Sequence, residues 1–138
     1  MTLKELDIVK NEARDAAYKT ENLYPPEITK MWQSLDKVIN DEKTKKEILY
    51  MLIMLIEIMK EDIACFFYKK QDGSIRQAYG TRKSSIIDYY LTISGKPNKT
   101  TKEKESAPST LAYFDLDKLE WRCFRLENLI GIDTQYII

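Results

Sequence analysis

The chain of 138 residues contains no histidine, so the side chain best suited to proton transfer near neutral pH is missing, along with the commonest metal ligand. Two cysteines, Cys65 and Cys123, are the only thiols. They lack metal-ligand spacing, and without histidine a four-ligand Cys/His zinc site cannot form. The four glycines are scattered and build no phosphate-binding loop. Carboxylates are plentiful, yet none is spaced so as to single out an acid–base pair. Asp115 and Asp117 flank a turn, where aspartate is favoured structurally. No catalytic residue, metal or cofactor is implied, and the expectation is a protein that is not an enzyme.

The remaining side chains with chemical reach are cationic and aromatic. Lys69, Lys70, Arg76, Arg82, Lys83, Arg122 and Arg125 fall on predicted strands or at their ends, interleaved with Tyr68, Tyr79, Tyr113 and Trp121. Cations bind phosphates and aromatic faces stack bases, a pairing that small barrels use on single strands. The plainer reading is that strand aromatics form core and that Lys and Arg near strand ends are solvated or discourage edge pairing. Parity tempers the binding reading. Trp121, Cys123 and Arg125 share one face of a strand, while Arg122, Phe124 and Leu126 share the other. Each face mixes an arginine with apolar groups, and one arginine can pair with Asp115 or Glu120 across strands. The candidate residues for nucleic-acid or partner binding are thus Lys69, Lys70, Arg76, Tyr79, Arg82, Lys83, Arg122 and Arg125.

These residues need elements to hold them. Residues 63–70, 74–80, 110–116, 120–125 and 129–132 read as five short aromatic-rich strands. Asp72-Gly73 marks a hairpin turn, Asp117-Lys118 a second connection and Glu127-Asn128 a short turn. Residues 63–70 are apolar at both parities, so both faces should be covered, one by the barrel interior and the other by helices. Both cysteines lie in predicted strands and are expected to be buried free thiols in a reducing cytosol. Residues 84–94 suit either a helix, capped through Ser85 and Asp88, or a further strand. Residues 95–109 are polar and lysine-rich with no apolar period, which predicts a long mobile loop. The apolar tail 135–138 could dock or pair.

Upstream, Thr2 and Glu5 have capping-box spacing before an amphipathic helix over 3–20. Pro25-Pro26 breaks it, and Pro26 suits the first turn of a second helix. That helix carries Ile28, Met31, Trp32, Leu35, Val38 and Ile39 on one stripe. Asn40 or Asp41 can cap a third helix, roughly 42–60, which becomes apolar nearly all round and should pack between the other helices and the barrel. Its apolar run of about twelve residues contains Glu57 and is short of the ~20 residues that span a bilayer. No N-terminal secretory pattern is present, and no membrane association is expected.

Apolar residues make up 43% of the chain and charged residues 32%, the balance of a soluble globular domain. Net charge is zero, so no global field draws the chain to nucleic acid. The charge is unevenly spread. Residues 1–62 hold 10 Lys and Arg against 13 Asp and Glu, and residues 63–138 hold 12 against 9. The predicted fold class is α+β: a helical segment at 1–62 packed on a small SH3-like or Sm-like antiparallel β-barrel of about five strands at 63–138, the two forming one compact unit.

Residues 67–70, 72–76, 78–81, 113–116, 121–122 and 124–130 form an ordered series of motifs. They run Phe-Tyr-Lys-Lys, Asp-Gly-Ser-Ile-Arg, Ala-Tyr-Gly-Thr, Tyr-Phe-Asp-Leu, Trp-Arg and Phe-Arg-Leu-Glu-Asn-Leu-Ile. Across 63–132 this series resembles a family of SH3-like β-barrel proteins of unknown function from Bacteroidetes, their phages and mobile elements. The tail 121–132 is also similar to the end of WYL-type Sm-like barrels. Residues 1–62 and the 95–109 loop depart from the family pattern, and the family offers no catalytic residues to carry over. The resemblance implies a phage or mobile-element origin, with the host-cell cytoplasm as location.

The expected function is that of an accessory protein working by protein–protein interaction. It would be an inhibitor of a host or defence protein, a virion or structural accessory, or a self-associating subunit. The alternative is a nucleic-acid-binding barrel using the basic residues above. A small-molecule sensor using the cleft between barrel and helices is a third possibility, which no set of residues demands.

Overall fold

The computed structural model describes residues 1–18, 26–96 and 107–136. Three helices lead: α1 (Leu3–Tyr18), α2 (Pro26–Asp36) and α3 (Glu42–Glu61). The caps follow the local sequence. The Glu5 amide donates to the Thr2 hydroxyl at 3.1 Å, and the Thr44 amide donates to the Asp41 carboxylate at 3.1 Å. Those Thr44 hydrogen bonds hold the exposed Asp41 carboxyl below its ordinary pKa.

The second half alternates strands with short connections: β1 (Ala64–Lys69), β2 (Ile75–Thr81), α4 (Ser84–Ile93), β3 (Thr110–Asp115), β4 (Glu120–Arg125) and β5 (Leu129–Ile132). A 3-10 turn at Leu126–Asn128 joins β4 to β5, and another follows at Thr134–Tyr136. The strands form one antiparallel sheet in the order β4-β3-β2-β1-β5. The sheet is not closed, so β4 and β5 are edges. The β1–β2 hairpin turns at Gly73, whose φ of 88° suits a residue without Cβ. The β3–β4 turn places Leu119 at φ 56°, a rare region for a branched side chain. The Asp115 side chain holds that turn, accepting from the Asp117 amide at 2.9 Å and the Lys118 amide at 3.2 Å.

Register decides which face each side chain takes. Ala64, Phe66 and Tyr68 of β1 share the inner face with Ala78 of β2, Leu111 and Tyr113 of β3 and Phe124 of β4. All are buried, and α3 fills the space above them. Leu49, Leu52, Leu55, Ile58 and Met59 of α3 are fully covered because α1 and α2 pack on its far side. The predicted position of the third helix, between helices and sheet, therefore holds. The outer face is organised differently. There α4 lays Ile87 and Leu91 on Phe114, with Leu116, Leu119 and Trp121 alongside.

Three expectations change. Residues 84–94 are helical, but the N-cap is Lys83 and no side chain caps the helix, so neither Ser85 nor Asp88 plays that part. The face of β1 that meets the interior is the same face that meets α3. Its other face holds Cys65, buried, and Phe67, half-buried, and neither joins the core cluster that the N-terminal helices pack on. Cys65 is a buried thiol as expected, but Cys123 is exposed because it lies on the outward face of edge strand β4. Of the expected loop at 95–109, residues 97–106 lie outside the described residues. So do residues 137–138 of the tail. The end of the loop is tied down, since the Ser34 hydroxyl of α2 donates to the Pro108 carbonyl at 2.8 Å.

Candidate functional site

Two small residues on β2 shape the interior. Ala78 and Gly80 occupy the inner face between β1 and β3. With no bulk there, rings from the flanking strands meet across β2. Phe66 and Tyr113 pack edge to face at 5.0 Å, and the Tyr68 and Tyr113 hydroxyls hydrogen-bond at 2.7 Å. A Cβ on Gly80 would lie 2.6 Å from Tyr113 Cδ2 and 3.1 Å from Phe66 Cε1, so only glycine fits. Burial pushes the Tyr113 phenol well above its ordinary pKa, and the hydrogen bond with Tyr68 adds to the shift.

Beside this pair lies the densest charge cluster on the sheet. Asp115 has no exposed surface. One of its carboxylate oxygens is ion-paired to Arg76 on β2 and lies 3.4 Å from Arg122 Nε on β4. Arg122 also bonds Glu120 at 3.1 Å. Burial lowers the Arg76 pKa, but Asp115 and Tyr113 outweigh it and the net shift is upward. Arg76 Nε is buried without an acceptor among the described residues. With two guanidinium groups against two carboxylates, the cluster is neutral. Its chemistry is that of a clamp fastening β2, β3, β4 and the β3–β4 turn.

The eight predicted binding residues are therefore dispersed. Arg76 and Arg122 converge on Asp115 at the inner face. Lys69 and Lys70 are exposed at the hairpin end of β1. Arg82 and Lys83 follow the far end of β2, about 20 Å away by strand rise. The Lys83 ammonium is 3.9 Å from Glu61, and the Arg82 amide donates to the Met59 carbonyl at 2.9 Å. Arg125 lies at the end of edge strand β4, 3.5 Å from Glu127. Tyr79 is half-buried on the outer face and accepts from Gln77 at 3.2 Å. Only the Arg76–Arg122 pair is brought together.

Sequence reading placed an arginine opposite Asp115 or Glu120, and Arg122 meets both. It missed the role of Asp115 in holding two arginines and the turn at once. It also missed the Tyr68–Tyr113 pair. The signal for that pair was present in Ala78-Tyr79-Gly80, where two small residues at alternate positions of a strand leave room for large neighbours. A second cluster outside the sheet escaped notice too. The Lys45 ammonium is buried between α2 and α3, ion-paired to Asp36, 3.5 Å from Glu42 and 4.9 Å above the Trp32 ring. Its bond to Asp36 raises its pKa against the opposing effect of burial.

The open five-stranded antiparallel sheet thus packs its inner face on α3. Residues 52–130, more than half of the chain, match the model of WYL_2, described as an Sm-like SH3 β-barrel fold. The chain belongs to the WYL_2 family. No curated protein and no solved structure matches it. The WYL_2 match begins within α3, so the second half of that helix is part of the family unit, together with the sheet whose inner face it covers. It bears out the weaker of the two resemblances, that to WYL-type Sm-like barrels. Among the described residues, no helix is long and apolar enough to cross a membrane, and no group of three or more His, Cys, Asp and Glu is placed to hold a metal ion.

Proposed function

We propose that this WYL_2 chain is a non-enzymatic accessory protein of a phage or mobile element and acts by binding other proteins. It would inhibit a host or defence protein or serve as a virion or structural accessory, in the host-cell cytoplasm. The observation that carries the reading is the surface of α4. This ten-residue helix has two apolar stripes. Ile87 and Leu91 are buried against Phe114. Ile86, Tyr89, Tyr90 and Ile93, spaced i, i+3, i+4 and i+7, form the second. Tyr89 is 60% exposed and Ile93 63% exposed. An apolar helical stripe at this spacing is what grooves on partner proteins recognise. The cations that would serve nucleic acid are split between the two ends of β2, the interior clamp and the β4 edge.

Affinity capture from host lysate, followed by titration of the purified captured protein, tests the reading. Wild type should bind, and Tyr89→Lys/Ile93→Lys should lose binding with unchanged melting temperature. A chain that captures nothing but binds short oligonucleotides with steep salt dependence would overturn it in favour of nucleic-acid binding.

A further inference from the structure

The open sheet leaves two edges that differ in their capacity to pair. β5 has four residues, includes Gly131 and meets β1 through a register shift at Phe67/Tyr68. Short, bulged, glycine-containing edges resist further pairing. β4 has six residues, no glycine or proline and an unbroken register with β3 from Glu120 to Arg125. Among the described residues nothing pairs with its outer side.

Hydrogen bonding fixes which β4 residues face outward. The Leu126 amide donates to the Ser109 carbonyl at 3.1 Å, continuing the β3–β4 register by one step. In an antiparallel ladder bonded pairs alternate with non-bonded ones. Phe124 and Arg122 thus bond to β3. Trp121, Cys123 and Arg125 turn their amides and carbonyls to the free edge.

This pattern is self-complementary. We infer that β4 pairs antiparallel with β4 of a second copy about a two-fold axis at Cys123, which names one partner under the protein-interaction reading above. Each outward-facing residue then meets another: Trp121 lies opposite Arg125 of the second copy, Cys123 opposite its own counterpart, and Arg125 opposite Trp121 of the second copy. Three bonded pairs supply about six backbone hydrogen bonds. The same three side chains share the outer face, so each guanidinium falls beside an indole, a favourable cation–aromatic pair. The edge charge that usually discourages pairing is not set against itself. The residue on the axis is small, neutral and exposed. Opposed cysteines in a bonded pair have Cβ atoms about 5.5 Å apart, wider than a disulfide takes but within the span of a short thiol-reactive cross-linker.

Sedimentation of the reduced protein at high micromolar concentration should give twice the chain mass of 16.3 kDa. A short bis-maleimide should link the copies through Cys123, since Cys65 is buried. Cys123→Ser should keep the dimer and lose the link. Cys123→Lys, which sets two ammonium groups together on the axis, should leave a folded monomer. Hydrogen exchange in the wild type gives a second readout that needs no variant: the Trp121, Cys123 and Arg125 amides should slow as concentration rises. A monomeric wild type, a dimer retained by folded Cys123→Lys, or exchange at these amides independent of concentration would overturn the inference. A monomer that still holds a purified partner protein would refute self-pairing alone. A dimer of the expected kind that binds no other protein would sustain it and remove the broader reading.

Discussion

Asp115 carries more of the sheet's polar structure than any other side chain. Its carboxylate meets Arg76, Arg122 and two turn amides while wholly buried. Removing one partner of a buried ion pair leaves uncompensated charge and costs about 3–5 kcal/mol. Asp115→Ala should therefore lower urea-unfolding stability by about that amount, well beyond the effect of Glu120→Ala, whose side chain is exposed. Tyr113 makes a prediction with pH. Its folded pKa lies above its unfolded value of about 10. Stability from the neutral phenol is complete below that value and is lost as pH rises through the folded pKa. Thermal melts should thus fall steeply above pH ~10, and Tyr113→Phe should flatten that fall. An equal fall in the variant would mean that other groups govern it, Lys45 among them.

At the level of elements, β2 and α4 show how local sequence serves tertiary contacts. The inner face of β2 is small because β1 and β3 fill the space above it. Gly80→Ala should cost about 1–3 kcal/mol through overpacking against Tyr113 and Phe66. Ala substitution at an exposed site such as Gln77 should cost far less in the same chemical-denaturation assay. α4 rests on its own small cluster of Ile87, Leu91 and Phe114, whereas α3 lies within the main core. Local opening follows such divisions. Amides of α4 should exchange with solvent before those of α3, and Leu91→Ala, costing about 2–5 kcal/mol, should widen the gap. Equal protection of both helices would place α4 in the main cooperative unit.

For the whole molecule, the seven candidate cations do not converge on one platform. Net charge is zero, and Lys69, Lys70, Arg76, Arg82, Lys83, Arg122 and Arg125 divide between the ends of β2, the interior clamp and the β4 edge. Oligonucleotide binding at physiological salt should then be no tighter than the roughly 10⁻⁴–10⁻⁶ M typical of non-specific contacts. Lys69→Glu/Lys70→Glu and Arg82→Glu/Lys83→Glu, at opposite ends of a strand, should weaken it independently. Strongly non-additive losses in fluorescence anisotropy would mean that the two ends act as one site.

Much of this architecture was legible along the chain. Five strands, three helices and their caps follow from period, turn residues and breakers. These are local interactions, and they are written in adjacent residues. The helix at 84–93 was not legible, because its β-branched and aromatic residues suit either state and packing on Phe114 decides the matter. Exposure of Cys123 was also hidden, since strand membership does not say whether a strand is an edge. The Asp115 clamp and the Tyr68–Tyr113 pair depend on strand order β4-β3-β2-β1-β5, which brings together residues 39 and 45 positions apart. The amino-acid sequence by itself determined which segments become helix or strand and where they turn. Only the tertiary structure decided which charges neutralise one another and which edge stays open, because both depend on which strands become neighbours.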